Sequence, residues 1–122
     1  MLTSSQDLGA VGENLVAARY FRQGYRVVDR NVRYPFGEID LIVEDPDGTT
    51  VFVEVKTRRS ERFGAAESVT PRKLSRMRQV AAAWLKGKPY RDIRFDVVTV
   101  RVEPYTGHFV VDCFEGVTHG AR

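Results

Sequence analysis

Apolar positions recur at three- and four-residue spacing in two stretches of the chain and alternate with polar ones in several others. From about Ser5 to Gln23, Leu8, Val11, Leu15 and Ala18 form a stripe that predicts a core-facing helix, and Gly24 is placed to end it. On a second face of that helix Gly9, Glu13, Val16, Ala17 and Tyr20 fall together, which sets the Glu13 carboxylate among small and apolar neighbours. Tyr25 to about Arg33 reads as a strand. A clearer pair follows at about Glu38–Glu44 and Thr50–Thr57, joined into a hairpin by Asp45-Pro46-Asp47-Gly48. A polar, Gly-containing stretch reaches to about Val69 and reads as a mobile loop. Thr70 and Pro71 then supply an N-cap and first-turn proline for a second helix, with Leu74, Met77, Ala81 and Trp84 as its buried stripe and Gly87-Lys88-Pro89 as its end. Ile93–Val102 and His108–Phe114 are two more β-rich runs, separated by turn residues.

The order α-β-β-β-α-β-β predicts an α/β fold in which one central mixed β-sheet is flanked by helices. The second helix crosses over, right-handed, to set the strand at Ile93 parallel to the one at Thr50. A chain of 122 residues is expected to form a single domain over residues 1–122, large enough to dispense with staples.

The hairpin carries the chemistry. If Pro46-Asp47-Gly48 is a three-residue loop with Gly48 left-handed, Ile39, Leu41 and Val43 stand opposite Val55, Val53 and Val51, one wholly apolar face. The other face then holds Asp40 opposite Glu54 and Glu38 opposite Lys56. Facing carboxylates repel, so sheet stability alone selects against that pair and something positive is expected between them. Their hard oxygens suit Mg2+ or Mn2+, which take one or two carboxylates and fill the remaining positions with water and phosphate oxygens. The chemistry implied is phosphodiester hydrolysis, with Lys56 orienting or deprotonating the nucleophile and offsetting developing charge.

Charge along the chain agrees. The formal net charge is only +3, yet Lys56 to Arg94 holds twelve Lys and Arg against three acids, whereas Tyr34 to Val55 holds six acids and no base. An acidic site bordered by a basic surface is what a meeting of cations and a polyanion requires. No apolar run is long enough for a bilayer span, and MLTSSQDLGA has neither the basic head nor the apolar core of a secretion signal, so a cytoplasmic protein without membrane contact is expected. The single cysteine, Cys113, excludes an internal disulfide framework and fits a reducing compartment.

Gly37-Glu38-Ile39-Asp40-Leu41-Ile42, followed by Val51-Phe52-Val53-Glu54-Val55-Lys56-Thr57-Arg58, resembles the small bacterial YraN-like family over nearly the whole chain. The resemblance implies the restriction-endonuclease-like fold of the PD-(D/E)XK nuclease superfamily and a likeness to archaeal Holliday-junction resolvases. In that pattern an acid on the first helix, an aspartate on the second strand and an E-x-K on the third surround a metal. Glu13, Asp40, Glu54 and Lys56 match these as catalytic residues, the three acids being the metal ligands, and Lys73 matches a supporting residue on the following helix. One departure is Ile39, where the pattern often has proline before the aspartate.

Plainer readings compete with each assignment. Asp40, Glu54 and Lys56 also fit an exposed hairpin face with a Glu38–Lys56 ion pair, and Glu13 also fits an early-helix acid favoured by the dipole. Glu38 itself reads either as a group supporting the site or as one that keeps Lys56 charged, and ranks below Asp40 as a candidate. Arg58, Arg59, Arg72, Lys73 and Arg76 are nucleic-acid contacts as a set, though any one alone is an ordinary solvated side chain. His108 and His119 lack partners and are assigned to the core edge and the tail; Cys113 is assigned to a strand as an inert thiol, and Trp84 and Met77 to the helical core. Two functions fit these residues: a Mg2+- or Mn2+-dependent endonuclease cutting branched or distorted DNA, or a nucleic-acid- or partner-binding protein that keeps the nuclease fold without useful turnover. DNA is the expected partner in the first, and a homodimer is left open.

Overall fold

The computed structural model describes residues 5–59 and 70–117. The loop expected up to Val69 lies, apart from its first residues, outside them, as does His119.

Seven elements follow in the expected order: α1 (Ser5–Arg22), β1 (Arg26–Tyr34), β2 (Gly37–Glu44), β3 (Thr50–Arg58), α2 (Pro71–Leu85), β4 (Ile93–Val102) and β5 (Phe109–Phe114). The strands form one sheet in the order β1-β2-β3-β4-β5. β3 and β4 are parallel, Glu54 beside Val97 and Lys56 beside Thr99, and every other neighbouring pair is antiparallel. Parallel neighbours cannot be joined by a tight turn, and the segment between these two contains α2. This is the α/β arrangement, one central mixed sheet with helices, that the order of elements predicts. Among the described residues no helix is long and apolar enough to cross a membrane.

The β2–β3 turn forms as its residues dictate. Asp45 Oδ1 accepts the N–H groups of Asp47 and Thr49, Gly48 takes φ +92°, and the ladder runs from Glu44–Thr50 to Leu41–Val53 in the expected register. Both faces of the sheet are buried at its central strands. Leu41, Val43, Val51, Val53 and Val55 pack beneath Val16, Ala17 and Tyr20 of α1, while Ile42 and Phe52 pack beneath Val80, Ala81 and Trp84 of α2.

Two expectations about these faces need correction. The stripe of α1 that meets the sheet is Leu8, Gly12, Val16, Ala17 and Tyr20; Ala18 is exposed, and Val11 and Leu15 are only partly covered. Close approach decides this, because a Cβ at Gly12 would run into the Thr57 side chain of β3, and the helix turns its least bulky face to the strand. Second, Ile39 does not share a face with Leu41 and Val43 but joins Val32, Tyr34 and Phe52 in the cluster under α2. Between the pairs Arg30–Leu41 and Val32–Ile39 lies Asn31, with φ +51°, a conformation asparagine tolerates better than most residues. The left-handed residue resets the pleat, so both strands change faces there and Asp40 sits at the point of change.

A buried polar cluster ties α1 to β4 and the chain beyond β5. Asp96 is fully buried and accepts hydrogen bonds from Tyr20 Oη at 2.7 Å, from Arg94 Nε at 3.0 Å and Nη2 at 3.1 Å, and from the Gly116 N–H at 3.0 Å. Arg94 also donates to Tyr25 Oη at 2.9 Å. The charge is buried but paired and fully hydrogen-bonded, the condition under which such groups persist in a core.

Candidate active site

Asp40 lies one residue beyond the last pair of the β2–β3 ladder. Its Oδ2 accepts the Val55 N–H at 2.8 Å, standing in for a carbonyl of the ladder and holding the carboxylate over β3. Asp40 and Glu54 are therefore close neighbours across a parted pair of strands rather than a flush cross-strand pair. Burial, and next the Glu54 charge, push the Asp40 carboxyl up from 3.8 to about 7, against the opposing pull of the Val55 N–H.

Glu54, in the middle of β3, is only 8% exposed, and its Oε2 meets two ammonium groups, Lys73 Nζ at 2.8 Å and Lys56 Nζ at 3.5 Å. Lys73 arrives there because Thr70 caps α2: the threonine hydroxyl accepts the Lys73 N–H at 3.1 Å, fixing the first turn from which the side chain reaches Glu54. The positive charge expected between the acids is thus supplied at Glu54 by the protein itself. Burial pulls the Lys56 ammonium below its ordinary range and the neighbouring Lys73 adds to this; burial is also the largest single influence on Lys73, but its bonds to Glu54 and Lys56 and the charges of Glu54 and Asp40 together outweigh it and raise the group. Glu38, Glu54, Lys56, Lys73 and Arg76 line a cavity of about 240 Å³.

Glu13 is reached by the same field without joining the cluster. Burial raises its carboxyl, Glu38 and Glu54 add to the rise, and Arg30 and Arg33 oppose it. It lines a separate open groove with Gly9, Ala10, Asn31 and Arg33. Among the described residues, no three or more His, Cys, Asp or Glu side chains converge as a ready-made metal cage. The groups that can offer oxygen to a cation are Asp40 and Glu54, with Glu13 at one remove.

The Glu38–Lys56 ion pair is not formed. Glu38 instead pairs with Arg33 on β1 at 3.3 Å, both well exposed, because Arg33 is its partner in the β1–β2 register. Of the basic set, Arg72 and Arg76 are exposed on α2, Lys73 is committed to Glu54, and Arg58 and Arg59 lie just past Lys56 at the end of β3. His108 is exposed in the turn before β5, where its N–H donates to Thr106 Oγ1, and so is not at the core edge. Cys113 lies half-buried on β5 with its thiol pushed up by burial.

The pattern that describes the uncharacterised protein family UPF0102 matches residues 12–100, which include Glu13, Asp40, Glu54, Lys56 and Lys73. The chain belongs to that family. A UPF0102 protein of Corynebacterium efficiens is 70% identical over 122 residues, all of both chains, and one of Corynebacterium glutamicum is 50% identical over the same full length. A UPF0102 protein of Syntrophomonas wolfei is 45% identical over 102 residues, 81% of this chain and 88% of that protein. Among solved structures, Pyrococcus furiosus SfsA in complex with Ca2+ aligns with 92% of this chain and 64% of its own, at a TM-score of 0.40 and 12% identity. So slight a likeness carries nothing about the site.

Lys73, expected as a supporting residue on the following helix, bonds Glu54 directly. Sequence reasoning missed two contributors: Arg33 neutralises Glu38, and Phe36 stacks on Tyr34 beside the cavity with ring centroids 5.5 Å apart and planes 12° apart. Lys73, Arg76 and Met77 fall at helical spacing on one face, which is a legible signal that they act together. Phe36 offers another: after Pro35, in a tight turn, a phenyl group is not what turn chemistry selects.

Proposed function

We propose that this UPF0102 protein is a metal-dependent endonuclease that hydrolyses phosphodiester bonds in branched or distorted DNA. The observation that carries the reading is the Asp40 carboxylate, held over β3 against Glu54 by the Val55 N–H and pushed up to about 7. A fold gains nothing from placing a half-buried acid beside another acid, and such strain is typical of groups kept for chemistry.

The donor set fits a hard divalent cation, Mg2+ or Mn2+. Asp40 and Glu54 would hold it, with Glu13 joined through water, consistent with the habit of Mg2+ of binding one or two carboxylates and keeping several waters. When bound, it would supply Lewis-acid polarisation of the phosphate and a more acidic water. Lys56, its ammonium made easier to deprotonate by burial and by Lys73, is suited to orient the attacking water and to take or offset a proton at its Nζ. Lys73 holds Glu54 in place and keeps positive charge at the site, and the exposed Arg72 and Arg76 bind the flanking phosphates. The expected likeness to junction resolvases supports branched or distorted DNA as the substrate.

One observation favours the second reading, a binding protein without useful turnover: Glu54 already has its charge met by two lysines, so a cation must compete with Lys73 for Oε2. A cleavage assay on linear, flap and four-way DNAs with Mg2+ or Mn2+, with Asp40→Asn as control, separates them. Metal-dependent cutting that is lost in the variant supports the nuclease. DNA binding with no cutting of any substrate by the wild type overturns it in favour of the binding protein.

A further inference from the structure

The stacked rings at the β1–β2 turn have no part in the chemistry just described, and the fold does not require them in this form. Pro35 and Phe36 make a two-residue turn between the paired Tyr34 and Gly37. Asn31 is the only non-glycine with positive φ among the described residues, so Phe36 fills no conformational need that only a special residue meets. Turn positions favour Gly, Asn, Asp and Ser, and an apolar ring left in water there gives up burial that the core could have used.

Phe36 is 43% exposed, and the ring beneath it is anchored. Tyr34 packs against the cluster of Ile39, Ile42, Phe52, Val80 and Trp84, and Phe36 lies almost parallel on it, 12° from coplanar. The backbone next door is clamped as well: a Cβ at Gly37 would stand 3.2 Å from Val80 Cγ2 and 3.6 Å from Arg76 Cβ of α2. Gly37 and Glu38 in turn wall the cavity that holds Glu54, Lys56 and Lys73. A flat, part-open aromatic surface of fixed orientation is therefore set one residue from the wall of the site, with the exposed Arg76 next to the adjoining Gly37.

We propose that Phe36, backed by Tyr34, stacks on an unpaired nucleobase beside the scissile phosphate, and that this contact makes the site select DNA with unstacked bases over intact duplex. The proposal rests on the nuclease reading and adds its selectivity. Every base has a π-face that an aromatic side chain can cover, but inside a duplex both faces are covered by neighbouring bases; only a single strand, branch point or distortion leaves one free. The Arg76 guanidinium nearby binds backbone phosphate in either form and so contributes affinity without discrimination.

Fluorescence anisotropy of the full chain with a labelled single strand, a splayed-arm duplex and a matched duplex, first in EDTA and then in Ca2+, tests it. Phe36→Ala should weaken binding to the single strand and splayed arm by about 5- to 150-fold, the range of one lost base–aromatic stack, and leave duplex affinity and its salt dependence unchanged. Phe36→Trp should restore the preference and Phe36→Leu should not, since leucine replaces the apolar surface but not the π-face. Equal losses on all three DNAs, no loss on any, or a leucine variant as good as tryptophan would overturn the platform and leave the nuclease reading standing. A wild-type protein that binds no DNA in either condition removes both.

Discussion

The substitution Asp40→Asn should make the protein more stable while depriving it of its proposed cation. In the folded chain the Asp40 carboxyl is carried from 3.8 to about 7 by burial, then by the Glu54 charge, with smaller contributions from Glu13 and Glu38 and only the Val55 N–H working the other way. At roughly 1.4 kcal/mol per pH unit, ionising this group in the folded state costs about 4 kcal/mol more than ionising it in the unfolded chain. The sign follows from an acid raised on folding: the folded state holds the proton more tightly, so the cost is absent below about pH 4, grows between about 4 and 7, and is complete above 7. Asparagine keeps an oxygen for the Val55 N–H, has nearly the same shape and carries no charge. Urea unfolding of wild type and variant in EDTA, at pH values from 4 to 8, should therefore give curves that coincide at the acid end and separate by about 2 to 4 kcal/mol in favour of asparagine at pH 8. Mg2+ at ten times its Kd should add about 1.4 kcal/mol to the wild type and nothing to the variant. A variant equal to or less stable than wild type at pH 8, or one that still responds to Mg2+, would refute the reasoning.

Other outcomes follow from the same geometry. Lys56→Ala should lower single-turnover cleavage by at least ~100-fold, the scale of one acid-base or electrostatic contributor, with DNA affinity little changed, since many other basic residues remain; unimpaired cleavage would remove its role in the hydrolytic step. Gly12→Ala should destabilise the fold by about 1 to 3 kcal/mol in thermal or urea unfolding, because the new methyl group meets Thr57 where α1 backs onto β3; a neutral effect would mean that the helix is free to lift from the strand.

The sequence by itself determined the order of elements, the hairpin register, the cap of α2 and the residue types of the site, because each is set by local physics. A Gly at a left-handed turn position, Thr-Pro before a helical stripe, and alternation of apolar residues in paired strands act over a few residues and need no distant partner. What only the tertiary structure decided lies where distant segments meet. Which face of α1 goes down depends on how near Gly12 comes to Thr57, 45 residues later in the chain, and the side to which Ile39 turns depends on the left-handed Asn31 in the neighbouring strand. The pairing of Lys73 with Glu54 and of Arg33 with Glu38 was hidden for the same reason, since a charge in sequence names no partner until the chain folds. Burial, which turns Asp40 from an ordinary acid into a strained one, is likewise a property of the packed sheet and helices, not of any residue read alone.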